Sequence, residues 1–215
     1  MYITFEQAQE FVRSRIDELS QVESDLLVST IDDRNLNLTV AKHLPEAIIR
    51  VHLDAPVLMV EESVKLEPGN RSVSVKIDKT TGVADISIPG VDVLRLVRLQ
   101  ASDSPFIITS PVPEDSPVGR MQLDEFVRGR WDSPILVQQQ DSLGTHPHYK
   151  YYSLASGESG ATFTIGVFER PKEIEGKGFF VSAALHESVL NYLTGMVLQA
   201  YRASDQAQYY FALTK

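Results

Sequence analysis

The chain contains no cysteine. Disulfide staples, thiolate nucleophiles and cysteine-bearing zinc sites are therefore excluded, and packing has to hold the fold unaided. Basic residues are also in short supply: 20 Lys and Arg stand against 29 Asp and Glu, a net charge of −9. Most affinity for nucleic acid comes from clustered Lys and Arg facing phosphates, so a tight grip on DNA or RNA is not expected. Met1–Glu10 lacks the basic-then-apolar pattern of a leader segment. Long apolar runs are missing as well. The most apolar stretch, Phe179–Tyr201, is broken by His186, Glu187, Asn191 and Gln199. A bilayer span needs about 20 predominantly apolar residues, so this stretch reads as a packed helix and no membrane partner is expected. No Walker-type G-x-x-x-x-G-K-S/T and no G-x-G-x-x-G occurs, which leaves nucleotide-binding loops without support. Gly157-Glu158-Ser159-Gly160 lacks the spacing of a nucleophile elbow and lies between two strand patterns, so it reads as a turn.

What is present has an order: helical patterns at both ends and a β-patterned middle. Thr4 with Gln7 matches a capping box, and Phe5, Ala8, Val12, Ile16 and Leu19 form one stripe, which predicts a helix over Phe5–Ser20. Ile31-Asp32-Asp33-Arg34-Asn35 reads as a turn, because Asp and Asn side chains bond the local backbone. A second stripe, Leu38, Ala41, Leu44, Ile48 and Val51, contains Pro45. Proline is comfortable only in a first helical turn, so the main helix either begins near Leu44 or kinks there, and Pro56 limits its end.

From Val57 the period changes to two. Strands are expected at Val73–Ile77, Val83–Ile88, Val93–Leu99, Ile135–Gln140, Tyr149–Leu154 and Thr162–Phe168, with Asp78–Gly82 as a hairpin turn. Ser116 caps a short helix over Pro117–Glu125. The segment from Phe179 onward reads as helical again. Leu185, Val189, Tyr192, Met196, Ala200 and Ala203 make one stripe, and Leu190, Leu193, Val197 and Tyr201 a second. So wide an apolar arc is buried on more than one side. The expectation is that another subunit covers the second side, with Leu185, Val189, Tyr192, Leu193, Met196, Val197 and Tyr201 at the interface. Ser204-Asp205 breaks the helix before a final piece, Gln206–Leu213. The fold class is α+β: helices from the two ends (residues 1–56 and 172–215) bundled together, and a β-rich antiparallel insertion (57–171).

Candidate chemistry is sparse. His146 and His148 flank Pro147 but have no further ligands in view, so they read as a polar loop and no metal or other cofactor is expected. Tyr149, Tyr151 and Tyr152 read as strand filler with polar tips at the surface. Arg128, Arg130 and Trp131 read as a contact with nucleic acid or a partner protein, or as a loop arginine pair beside a partly buried indole; the net charge of −9 favours the loop pair over nucleic acid. Composition and pattern reach a soluble, acidic α+β domain that assembles, with no catalytic constellation.

A resemblance goes further. The run Ile88-Pro89-Gly90-Val91-Asp92-Val93-Leu94-Arg95-Leu96-Val97-Arg98-Leu99, the Ser116–Met121 turn, Ser133-Pro134-Ile135, the Tyr149–Leu154 strand, the Phe168-Glu169-Arg170-Pro171 exit and the Leu185–Tyr201 helix stand in an order that resembles head-to-tail adaptor, or neck ring, proteins of short-tailed, crAss-like bacteriophages. The resemblance spans about Leu38–Lys215. Ser104-Pro105 stands where that family often has Trp, and the long C-terminal arm that inserts into a neighbour is not expected here. What the resemblance implies is a non-enzymatic virion protein made in the bacterial cytoplasm. It would form a homo-oligomeric ring, a dodecamer, contact the portal and other neck or tail proteins, and pass DNA without holding it. The alternative is a non-enzymatic binding or accessory module with a β-rich ligand-binding domain; an enzyme stands third.

Overall fold

The computed structural model describes residues 1–22, 33–61, 74–90, 92–102, 104–139, 147–154 and 161–214. The fold is α+β, and the chain divides into two compact units: Met1–Ser63 with Pro171–Lys215, and Val64–Arg170.

The first unit brings the two chain ends together. β1 (Tyr2–Ile3) leads into α1 (Phe5–Val22), and the capping box is made: Thr4 N–H donates to Gln7 Oε1 and Gln7 N–H to Thr4 Oγ1, both at 3.1 Å. Ala8, Val12 and Ile16 form its buried face. α2 (Asp33–Asp54) is continuous through Pro45. It thus begins well before Leu44, and Asp33–Asn35 lie in its first turn rather than in a loop; Ile31 and Asp32 fall outside the described residues. The physical reason is burial. Pro45 forfeits one backbone hydrogen bond and crowds the preceding turn, at a cost of about 3 kcal/mol. Leu36 and Val40 are buried on the same face as Leu44, Ala47 and Ile48. Each such side chain is worth about 1.5–3 kcal/mol, which offsets the proline.

α3 (Val57–Glu61) stays with this unit because the Ser182 hydroxyl donates to the Met59 carbonyl. The unit therefore runs past Pro56, to Ser63. Phe179 does not open a helix. β9 (Glu173–Ile174), β10 (Gly178–Phe180) and β1 form a three-stranded antiparallel sheet in the order β1-β10-β9. The long final helix, α5, spans His186–Ala200, and α6 spans Ser204–Ala212. α5 packs against α1, α2 and α6 of its own chain.

His52 of α2 sits under this packing, 1% exposed. Its Nδ1 lies 2.8 Å from the Ile48 carbonyl, and Ser182 N–H donates to its Nε2 at 3.4 Å. Burial lowers its pKa below the ordinary histidine value, and the Ile48 bond offsets part of that. Above pH ~6.5 the ring is neutral in both states, and its contribution to stability is complete. As pH falls below that, the unfolded chain takes up a proton that the fold resists, so stability is lost at up to about 1.4 kcal/mol per pH unit. His186, also lowered by burial, adds to the loss. The expected result is a melting temperature that drops from pH 7 to pH 5, with a shallower slope in His52→Asn. Equal slopes in thermal melts of the two proteins would refute the assignment to His52.

The second unit is two layers of sheet. β2 (Ser74–Asp78), β3 (Val83–Ser87), β7 (His148–Tyr152), β6 (Ile135–Gln139) and β5 (Val112–Pro113) form one sheet in that order. Its pairs are antiparallel except β5 with β6. The β2–β3 turn is tied by Asp78, whose carboxylate accepts from Thr80 N–H and the Thr81 hydroxyl; those bonds hold its pKa below the usual carboxylate range. β4 (Val93–Ala101) and β8 (Phe163–Glu169) pair as a separate ribbon. Ala84, Ile86, Leu136, Tyr149 and Tyr151 from the sheet meet Leu96, Leu99, Ala101, Ile165 and Val167 from the ribbon in one core. Tyr149, Tyr151 and Tyr152 are thus buried, not surface-tipped. Burial alone pushes the Tyr149 hydroxyl up to about 12. Tyr151 stacks edge-on against Phe163 with centroids 5.3 Å apart.

Candidate interaction surface

The chain does not pass directly from β5 to β6. It makes an excursion whose backbone is tied at several points. Ser116 caps α4 (Pro117–Met121) by accepting from Gly119 N–H at 3.0 Å and donates its own hydroxyl to the Pro113 carbonyl. This helix ends at Met121 rather than Glu125 because Gln122 turns inward. Gln122 is buried; its amide donates to the Val118 carbonyl at 2.9 Å and accepts from Gly129 N–H at 2.7 Å. One side chain thereby joins the two limbs of the excursion. Arg128 donates to the Thr81 carbonyl at 2.7 Å and Arg130 to that of Phe126 at 3.0 Å. Gly129 lies directly on the sheet: a Cβ there would collide with the Tyr152 carbonyl oxygen and sit 2.9 Å from the Ile135 nitrogen.

On this tied scaffold Val118, Met121, Leu123, Phe126, Val127 and Trp131 all stand exposed, Leu123 at 80% and Phe126 at 83%. Leaving a large apolar side chain in water forgoes about 1.5–3 kcal/mol of burial. Scattered exposed apolar residues need no explanation; these six fall within 14 residues of one hydrogen-bonded segment. Arg120 and Arg130 are exposed among them. Arg128, Arg130 and Trp131 thus share one excursion, with the indole 59% exposed rather than partly buried. Sequence reasoning missed Leu123, Phe126 and Val127, because the one signal read there is the Ser116 cap, as the start of a short helix over Pro117–Glu125. The available signal was the density of apolar residues without a strand or helix period after Met121.

The helix α5 residues are placed differently. Leu185, Val189, Leu193 and Val197 are buried within the chain, while Tyr192, Met196 and Tyr201 are half-buried. Tyr192 packs on Phe211 of α6, ring centroids 5.0 Å apart, and Gly195 leaves room for that ring. Within the chain the wide apolar arc packs against α2 on one side and α6 on the other.

His148 Nδ1 lies 3.9 Å from Asp85 Oδ1, with both side chains partly exposed. His146 and Gly157–Gly160 fall outside the described residues. Among the described residues, no group of three or more His, Asp or Glu is placed to hold a metal ion. Likewise among them, no helix is long and apolar enough to cross a membrane. No protein-family model matches the chain, and no characterised protein or solved structure is significantly similar to it.

Proposed function

We propose that this chain is a non-enzymatic structural protein of a bacteriophage virion, a ring-forming connector between portal and tail that lets DNA pass through a central channel. The observation that carries the reading is the excursion from Val118 to Trp131, an ordered, hydrogen-bonded segment that holds six large apolar side chains in water. Such a segment is unfavourable on a lone protein and favourable in an assembly. The layout of the chain supports it too: a β unit is inserted between end segments that share a helical unit, as in the neck ring proteins that the sequence resembles. The net charge of −9 suits a conduit that does not hold its cargo. Mass photometry and negative-stain imaging at tens of micromolar protein test the reading. Closed rings, dodecameric on the family's pattern, are the expected result; a protein that stays monomeric alone and with its portal would refute it.

A ligand-binding module is the second reading. It is favoured by a cleft of about 510 Å³ beside α4, lined by Glu114, Asp115, Arg120, Leu123 and Tyr152. A small particle in the same images would favour it.

Duplex DNA gives a further expected result. Non-specific affinity grows with the number of phosphates neutralised. The exposed arginines of the excursion are few, and their fields are screened within about 8 Å at physiological salt. Fluorescence anisotropy with a short duplex is expected to show no binding at about 0.15 M salt. Micromolar binding that resists salt would argue for a DNA-gripping role at Arg128 and Arg130 instead.

A further inference from the structure

Helices α1, α5 and α6 of the first unit enclose a groove of about 820 Å³, within the size range of small-molecule sites. On α5, Glu187, Ser188 and Asn191 lie three and four residues apart, so one stripe of that helix faces it. Asn191 and Tyr210 also line the groove, yet they are only 6% and 4% exposed. Neither the Asn191 amide nor the Tyr210 hydroxyl has a hydrogen-bond partner among the described residues. Buried polar groups are almost always bonded, so these two look to the groove for what the protein does not supply. The charge of the lining has one sign. Three carboxylates stand against one arginine, and that arginine, Arg15, is already paired with Glu18 at 2.9 Å. Glu187 and Asp205 make no ion pair among the described residues. Tyr209 and Leu213 add apolar wall, 60% and 48% exposed.

We propose that this groove binds a small organic polycation, a linear polyamine of the spermidine type. An ammonium group has three N–H donors and no acceptor, which suits a lining rich in oxygen acceptors. Glu187 and Asp205 take ammonium groups, and the Asn191 carbonyl and Tyr210 hydroxyl oxygens accept further N–H bonds inside the groove. The methylene spacers between the charges lie on Tyr209 and Leu213, where the tyrosine face also attracts a cation. The carboxylates repel an anion, and a neutral ligand would leave their charge unused. A metal ion is the wrong cation, because no group of three or more His, Asp or Glu among the described residues is placed to hold one. The site is complete within one helical unit, so it is independent of the ring reading.

Isothermal titration calorimetry of the full chain with spermidine, at about 0.15 M salt to screen loose surface charge, tests the site. The expected result is one saturable site per chain with a dissociation constant of about 100 µM or tighter. Magnesium chloride titrated in its place is expected to give no saturable heat. Spermidine heat that does not saturate, or magnesium binding as tightly, would reduce the effect to counter-ion accumulation and overturn the site. Glu187→Gln and Asp205→Asn are each expected to weaken binding about ten-fold, the loss of one charge-assisted bond. Glu125→Gln makes the same charge change at an exposed carboxylate of the second unit and is expected to leave binding unchanged. An equal loss there would show that net charge, not the groove, holds the ligand. Tyr210→Phe and Asn191→Leu remove polar groups that have no protein partner, so folding is retained, and circular dichroism verifies it. Each is expected to weaken spermidine binding about three-fold or more. Unchanged binding in both would remove the groove as the site.

Discussion

Replacing Leu193 with Asp is expected to unfold the helical unit, not merely to prevent assembly. From sequence alone, Asp at Leu193 and Val197 is expected to prevent assembly more readily than it unfolds the β region. Both side chains are instead completely buried within the chain, where α5 meets α1, α2 and α6. The substitution loses about 2–3 kcal/mol of apolar burial and places a carboxylate where no partner waits, a cost of several kcal/mol more. Domain stabilities are only about 5–15 kcal/mol, so the sum is comparable to the whole. Far-UV circular dichroism should show loss of helical signal at 25 °C. Leu58→Asp is the control: Leu58 is 78% exposed, and its melting temperature should stay within a few degrees of wild type. A helical Leu193→Asp protein with an unchanged melting temperature would contradict this packing.

The second large effect is expected at Gly178. Its φ of +83° lies in the left-handed region, and a Cβ there would collide with the Ile3 carbonyl oxygen and sit 2.8 Å from Thr4 Cα. Those are backbone atoms of the neighbouring strand and of the α1 cap, so neither side can yield alone. β10 pairs here with both its neighbours: Gly178 faces Ile174, Phe179 faces Ile3, and Phe180 faces Tyr2. The left-handed conformation costs an alanine about 1–2 kcal/mol and the overlap about 1–3 kcal/mol more. At about 2–4 °C per kcal/mol for a protein of this size, Gly178→Ala should lower the melting temperature by about 10 °C. Gly176 separates the two causes. Its φ is +73°, but nothing lies within 4 Å of its missing Cβ. Gly176→Ala should therefore cost the conformational part alone, a few degrees. Equal shifts in scanning calorimetry would show that the close approach of β10 to Ile3 is not what requires glycine.

Local features were legible. The Thr4–Gln7 capping box, the α1 stripe, the alternation in β3 and the Ser116 cap are relations between residues two to four apart, and short-range geometry alone decides them. Six strands stand close to the alternating runs that predict them, although Val73 and Gln140 fall outside the described residues. Errors arose where a local preference met a distant partner. Pro45 leaves open a helix beginning near Leu44 or one kinked at the proline, and the first of these fails because burial of Leu36 and Val40 carries α2 across. Phe179 and Phe180 continue an apolar run into α5, yet they pair as a strand because Tyr2 and Ile3 come alongside. Two further backbone bonds join Met1 and Val181 there, at 2.8 and 3.0 Å.

The candidate surface shows the same division. Periodicity tells which side chains of α5 share a face, but not whether that face meets α6 or another molecule. Nor does it tell whether the apolar residues after Met121 turn inward or stay in water. The amino-acid sequence by itself determined the α+β class, the caps, the strand periods and the acidic charge, because each is set by residue type and near neighbours. Only the tertiary structure decided that α5 is covered within the chain and that Leu123, Phe126 and Trp131 are not. Burial is a property of contacts between residues far apart in the chain, and no short-range pattern encodes which of them meet.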